Sequence, residues 1–123
     1  MNHKKAMKFL NAIDPEAAEG LSQARQMAPE LLDILIENLY GVAYQREALS
    51  QRERALVTIA ALMGNDRFQA QLATHTRLAL KTGLKREELM EVAFQISVLF
   101  NLGSSLNAMS IVDAVSDRLE MEG

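Results

Sequence analysis

Glycine and proline cut this chain into helix-length pieces, and nowhere does apolar–polar alternation at period two last long enough to make a strand. The first piece, about His3–Ile13, stops before Asp14-Pro15. There Asp is placed to cap, and Pro to take the first position of a helix running toward Met27. Pro29 restarts the pattern, and Leu31, Leu32, Leu35, Ile36 and Leu39 form a helical apolar stripe that Gly41 ends. Ser50-Gln51-Arg52-Glu53 reads as a capping box. The helix it opens carries Leu56, Ile59, Ala60 and Met63 on one face and reaches Gly64, a natural left-handed stop. Asn65 or Asp66 caps a further segment to about Thr82, closed by Gly83. The next runs from about Arg86 to Leu102 and stops at Gly103, and the last from about Ser104 to Leu119. The expectation is an all-α fold of about six helices in one domain over residues 1–123, with an N-terminal helical arm at 1–48 and a core at 49–123.

Segment 86–102 constrains the assembly. Leu89, Val92, Phe94, Val98, Leu99 and Phe100 spread around the whole helix, more apolar surface than a 123-residue monomer readily encloses. A central helix wrapped by the others is the plainer explanation; a subunit interface is the one favoured here. Only 5% of residues are aromatic and Trp is absent, so aliphatic side chains and seven Met must fill the core.

Charge and cysteine usage exclude several functions. Thirteen basic residues against sixteen acidic ones leave a formal charge of −3, which offers no footprint for nucleic acid or an anionic membrane. The start of the chain has no long apolar run or cleavage site, which points to a cytoplasmic protein. With no cysteine there is no thiol nucleophile, disulfide or thiolate-bound metal. The two histidines lie far apart, His3 in an end expected to fray, so no metal site is expected. No glycine-rich phosphate loop and no Ser-His-Asp order occurs, and no cofactor is implied.

His75 is the one interior side chain that titrates near neutrality, and Phe68, Leu72 and Ala79 share its helix face, so it should point inward. A histidine so placed is more often a satisfied core residue than a catalyst. Arg52 and Arg54 read equally as a solvated helix start or a carboxylate clamp. Gln71, one turn before His75, and Asn107 either face solvent or line a pocket.

From Leu49 onward the order of elements resembles the carboxymuconolactone decarboxylase family. The resemblance rests on Leu49-Ser50-Gln51-Arg52-Glu53-Arg54, Leu72-Ala73-Thr74-His75, Lys81-Thr82-Gly83-Leu84 with its acidic helix start at Glu87 and Glu88, and Gly103, Leu106, Asn107 and Ala108. It covers roughly Leu31 to Ala114. It implies an alkyl hydroperoxidase-like helical subunit that assembles into homo-oligomers, trimers or hexamers, with sites near subunit contacts. In the hydroperoxidase branch a Cys-x-x-Cys pair precedes the histidine and a glutamate stands upstream; here those places hold Phe68, Gln71 and Ala55, so thiol peroxidase activity is not expected.

The remaining branch resembles 4-carboxymuconolactone decarboxylase, a cofactor-free lyase of aromatic catabolism acting on a small acidic lactone. The resemblance implies His75 as acid/base, Arg52 or Arg54 holding a carboxylate, and Gln71 or Asn107 bonding the lactone oxygen. Two departures stand out: Val98-Leu99-Phe100-Asn101-Leu102-Gly103-Ser104 replaces a stretch with Tyr and Pro, and Ala55 replaces an acidic residue. The alternative function is a non-catalytic oligomeric binding or accessory protein on the same scaffold.

Overall fold

A computed structural model of the chain describes residues 2–123 as seven α-helices with short 3-10 and π turns, and no strand among the described residues. The chain divides into two compact units, the first closing at Ser50 and the second running Gln51–Gly123.

In the first unit α1 (Asn2–Ile13) is followed directly by α2 (Pro15–Met27). The Asp14 carboxylate accepts the Glu16 backbone N–H at 3.2 Å, satisfying a donor that the helix start leaves unpaired, and Pro15 sits where no N–H is needed. Helix α3 (Pro29–Leu35) widens into a π turn over Ile36–Tyr40. Ala6, Leu10, Ala18, Ile36 and Tyr40 form the buried centre. The rings of Phe9, Tyr40 and Tyr44 cluster beside it, with centroids 5.5 to 6.4 Å apart. The expected stripe is only partly buried: Ile36, the first residue of the π turn, is enclosed, whereas Leu31 and Leu35 on the preceding helix α3 are exposed. His3 lies within α1, its Nε2 3.6 Å from an Asp33 carboxylate oxygen that also receives Arg25 Nε.

The second unit is built from α4 (Gln51–Met63), α5 (Gln69–Lys81), α6 (Arg86–Leu99) and α7 (Leu102–Glu122). Helix α5 packs against α4 and α7, and α6 against α4 and α7. Ile59, Met63, Leu72, Leu89, Ala93 and Val112 make the core between them. On α4 the burial of Ala55, Ile59 and Met63 at four-residue spacing gives the expected inward face. No helix among the described residues is long and apolar enough to cross a membrane.

Helix α4 stops at Met63 as expected, but one glycine's conformation and two other boundaries differ. Gly64 does not adopt a left-handed conformation; among the described residues Gly83, at φ +109°, is the one glycine with positive φ. It closes the α5–α6 turn, where Leu84 N–H reaches back to Ala79 O at 3.1 Å. Gly103 does not end α6: the helix stops at Leu99, and Asn101 caps α7 by accepting the Ser104 N–H at 3.2 Å. Gly103 therefore lies inside the first turn of α7. Finally, α7 extends to Glu122, held by Arg77, whose guanidinium donates to both Glu122 carboxylate oxygens at 2.8 and 3.0 Å.

Candidate functional site

His75 lies midway along α5, partly buried, on the edge of a face whose Leu72, Thr76 and Ala79 are fully enclosed. It is neither dry core nor open surface. Of the neighbours expected on its face, Leu72 and Ala79 are buried, while Phe68, in the 3-10 turn before the helix, is exposed. Burial pushes the imidazole pKa below its ordinary value, because the surrounding low-dielectric material disfavours the imidazolium. The neutral form is therefore favoured at physiological pH, and the imidazolium, where it forms, gives up its proton more readily than that of a free histidine.

Gln71 stands one turn nearer the helix start and is exposed. A four-residue step puts it on the same flank of α5 as His75. Arg52, in the first turn of α4, is ion-paired with Glu88 of α6. Arg54 is partly buried on the same helix. Asn107, exposed on the second turn of α7, donates its Nδ2–H to Asp66 Oδ1 at 3.1 Å. Asp66 belongs to the turn that Asn65 caps, immediately ahead of α5. The structure thus brings Arg52 to Glu88 and Asn107 to Asp66, and sets Gln71 and His75 along one helix.

Glu88 and Asp66 are the partners that sequence reasoning missed. Each lies 36 to 41 residues from the group it binds, a separation that no local pattern bridges. Two hydroxyls were also missed: Thr76, next to His75, and Ser105 on α7 are wholly buried, and their oxygens have no hydrogen-bond partner. An open groove of about 560 Å³ at the far end of α5 and α7, lined by Lys81, Lys85, Ser116, Leu119 and Glu120, contains none of the candidate side chains. Among the described residues no three His, Asp or Glu side chains gather to hold a metal ion.

The sequence profile of the carboxymuconolactone decarboxylase family matches residues 29–114, most of the chain, including His75, Gln71, Arg52, Arg54 and Asn107. The chain belongs to that family. Similar proteins include an uncharacterized 15.0 kDa protein from the nqo9–nqo10 intergenic region of Paracoccus denitrificans, 29% identical over 91 residues, which are 73% of this chain and 68% of that one. A 4-carboxymuconolactone decarboxylase of Acinetobacter baylyi is 32% identical over 76 residues, 62% of this chain and 56% of that protein. A nitrosuccinic acid decarboxylase of Metarhizium robertsii is 27% identical over 79 residues, 64% and 54% respectively. This carboxymuconolactone decarboxylase-family chain thus spans little more than half the length of the two decarboxylases it matches.

Proposed function

We propose that this chain is a cofactor-free carboxy-lyase acting on a small carboxylated lactone or a similarly activated acid, with His75 as the proton carrier. The observation that carries the reading is the half-buried His75 imidazole on α5, its pKa lowered by desolvation so that its protonated form is a readier proton donor than a free histidine, with the Gln71 carboxamide one turn away on the same helix. The names of the two matched decarboxylases support it: each describes removal of carbon dioxide from a small acid.

The chemistry needs little machinery. The carbon–carboxylate bond breaks and its electron pair moves into the conjugated carbonyl of a lactone, giving an enolate, or into the nitro group of a nitro acid, giving a nitronate; carbon dioxide leaves, and one proton is taken up at carbon. His75 delivers that proton and recovers it from solvent. Its lowered pKa makes the imidazolium a stronger acid than a free histidine, so transfer to the enolate is more favourable, while the charged form is populated only toward acid pH. A hydrogen bond from Gln71 or Asn107 to the carbonyl oxygen stabilises the developing enolate, and Arg54 or Arg52 orients the carboxylate.

A second reading, a binding protein without catalysis, is favoured by one observation. Arg52 and Asn107 already hold partners within the chain, Glu88 and Asp66, and a ligand must compete with both. The test is direct. Purified protein is mixed with 4-carboxymuconolactone, and in parallel with nitrosuccinate, and carbon dioxide release and substrate absorbance are followed. Catalysed release from either supports the lyase; saturable binding without release supports the alternative.

A further inference from the structure

The groove at the far end of α5 combines an apolar wall with an unpaired hydroxyl. Its volume, about 560 Å³, is that of a small-molecule site. Leu80 on α5, Leu84 in the turn behind Gly83, and Leu119 on α7 form the wall. Ser116 on α7 also lines the groove, yet it is only 5% exposed, and its Oγ has no hydrogen-bond partner. A helical serine can turn its hydroxyl back to the carbonyl four residues earlier, and here that bond is not made. Buried hydroxyls are nearly always paired. This one is a donor facing a groove, and an acceptor brought by a ligand would complete it.

The charges on the lining decide the sign of that ligand. Lys81, Lys85 and Arg86 stand against Glu87 and Glu120. Arg86 is already engaged, with Asp113, Asp117 and Glu120 of α7 all within 3.9 Å of its guanidinium, and that engagement occupies Glu120 as well. Lys81 acts on Glu122, whose carboxylate Arg77 already holds. Lys85 is exposed, and no carboxylate among the described residues pairs with its ammonium. Arg86 and Glu87 are the first two residues of the 14-residue helix α6, so the groove also borders backbone N–H groups with no partner inside the helix. The positive end of the helix dipole adds to the Lys85 charge there.

We propose that this groove binds a small organic acid, its carboxylate held by the Ser116 hydroxyl and the Lys85 ammonium and its apolar body lying along the three leucines. His75 is not among the lining residues and precedes Lys81 on α5 by more than one helical turn. The site is therefore separate from the one assigned to decarboxylation, and it stands whether or not that assignment holds.

Benzoate is the probe, with benzamide and benzylammonium as its uncharged and cationic counterparts. Titration of the full chain, followed through its backbone amide NMR shifts, should show saturable benzoate binding that moves the amides of Ser116, Lys85 and Glu87. Benzamide should bind about fivefold more weakly or worse, and raised salt should weaken benzoate alone. Lys85→Met and Ser116→Ala should each weaken benzoate by about fivefold. Ser116→Ala should do so with no loss of thermal midpoint, because the unpaired hydroxyl makes no bond in the free protein. His75→Gln should leave benzoate binding unchanged. The proposal is overturned by the absence of saturable binding, by shifts gathered around His75, or by an affinity that neither Lys85→Met nor Ser116→Ala alters. Equal binding of benzoate and benzamide overturns it too, as does preferred binding of benzylammonium, which would give the groove to Glu87 and Glu120.

Discussion

Arg52 at the start of α4 is clasped by Glu88 at the start of α6. The same carboxylate caps its own helix: Oε2 takes the guanidinium, while Oε1 accepts the Lys85 backbone N–H at 2.9 Å. One side chain thus ends a helix and ties two helices together. Loss of an exposed ion pair costs at most about 1 kcal/mol, and loss of a helix-start acceptor costs about 1 kcal/mol more. Glu88→Ala should therefore destabilise the protein more than Arg52→Ala, with Glu88→Gln between them because the amide oxygen keeps the cap. Denaturant midpoints of the three variants measure the order.

Gly83 and Gly64 make opposite predictions. At φ +109° Gly83 occupies a backbone region that a side chain resists, although a Cβ there would meet nothing within 4 Å. Gly83→Ala should cost about 1–2 kcal/mol from the backbone alone. Gly64 is not left-handed, and an added Cβ would make ordinary contact with Ala61 O at 3.9 Å. Gly64→Ala should be neutral or stabilising by up to about 1 kcal/mol. Thermal midpoints of the pair decide it.

Leu89 is wholly enclosed in the second unit, among Ile59, Ala93 and Val112. Leu89→Ala removes buried methyl groups and leaves a cavity, at a cost of about 2–5 kcal/mol. Phe94→Ala on the same helix removes a larger but 60% exposed side chain, and should cost less than 1 kcal/mol in the stability of the isolated chain. Urea titrations at low protein concentration separate the two.

The helices were legible wherever a local signal stops the backbone. Asp14-Pro15 and Asn65 announce their caps through a side-chain oxygen two residues from the N–H it accepts, and Gly83 announces its turn by being the residue that tolerates positive φ. Gly103 misled because Asn101, two residues earlier, supplies a stronger stop by capping the following helix. The Leu31 stripe misled because Leu31 and Leu35 share a face of α3 that the first unit does not cover, and the 3.6-residue period holds only as far as the π turn that begins at Ile36. At the candidate site His75 and Gln71 stood out through their shared helix face. Their surroundings did not, since Asp66–Asn107, Arg52–Glu88 and Arg77–Glu122 are tertiary pairs whose members have no reason in local sequence to meet.

The lowered pKa of His75 makes stability depend on pH in a defined window. Between that lowered value and the ordinary 6.5, the unfolded chain holds a proton on this side chain that the folded chain lacks. Stability should therefore rise with pH across the window, and stay level with respect to this group above it. His75→Gln removes the titration. The difference in unfolding free energy between wild type and variant should change with pH below 6.5 and be constant above it, as equilibrium denaturation at several pH values will show.

The central claim is that His75 moves the proton in a decarboxylation. The most direct measurement is kcat for carbon dioxide release by wild type and His75→Gln, taken across pH 5 to 8 on whichever of the two test acids turns over. General acid catalysis is worth about 10²–10⁴ in rate. The wild-type kcat should climb as pH falls toward the lowered His75 pKa, and the variant, equally helical and equally assembled, should lose at least about a hundredfold and show a flat profile. A His75→Gln enzyme that keeps the wild-type rate and pH profile would contradict the account.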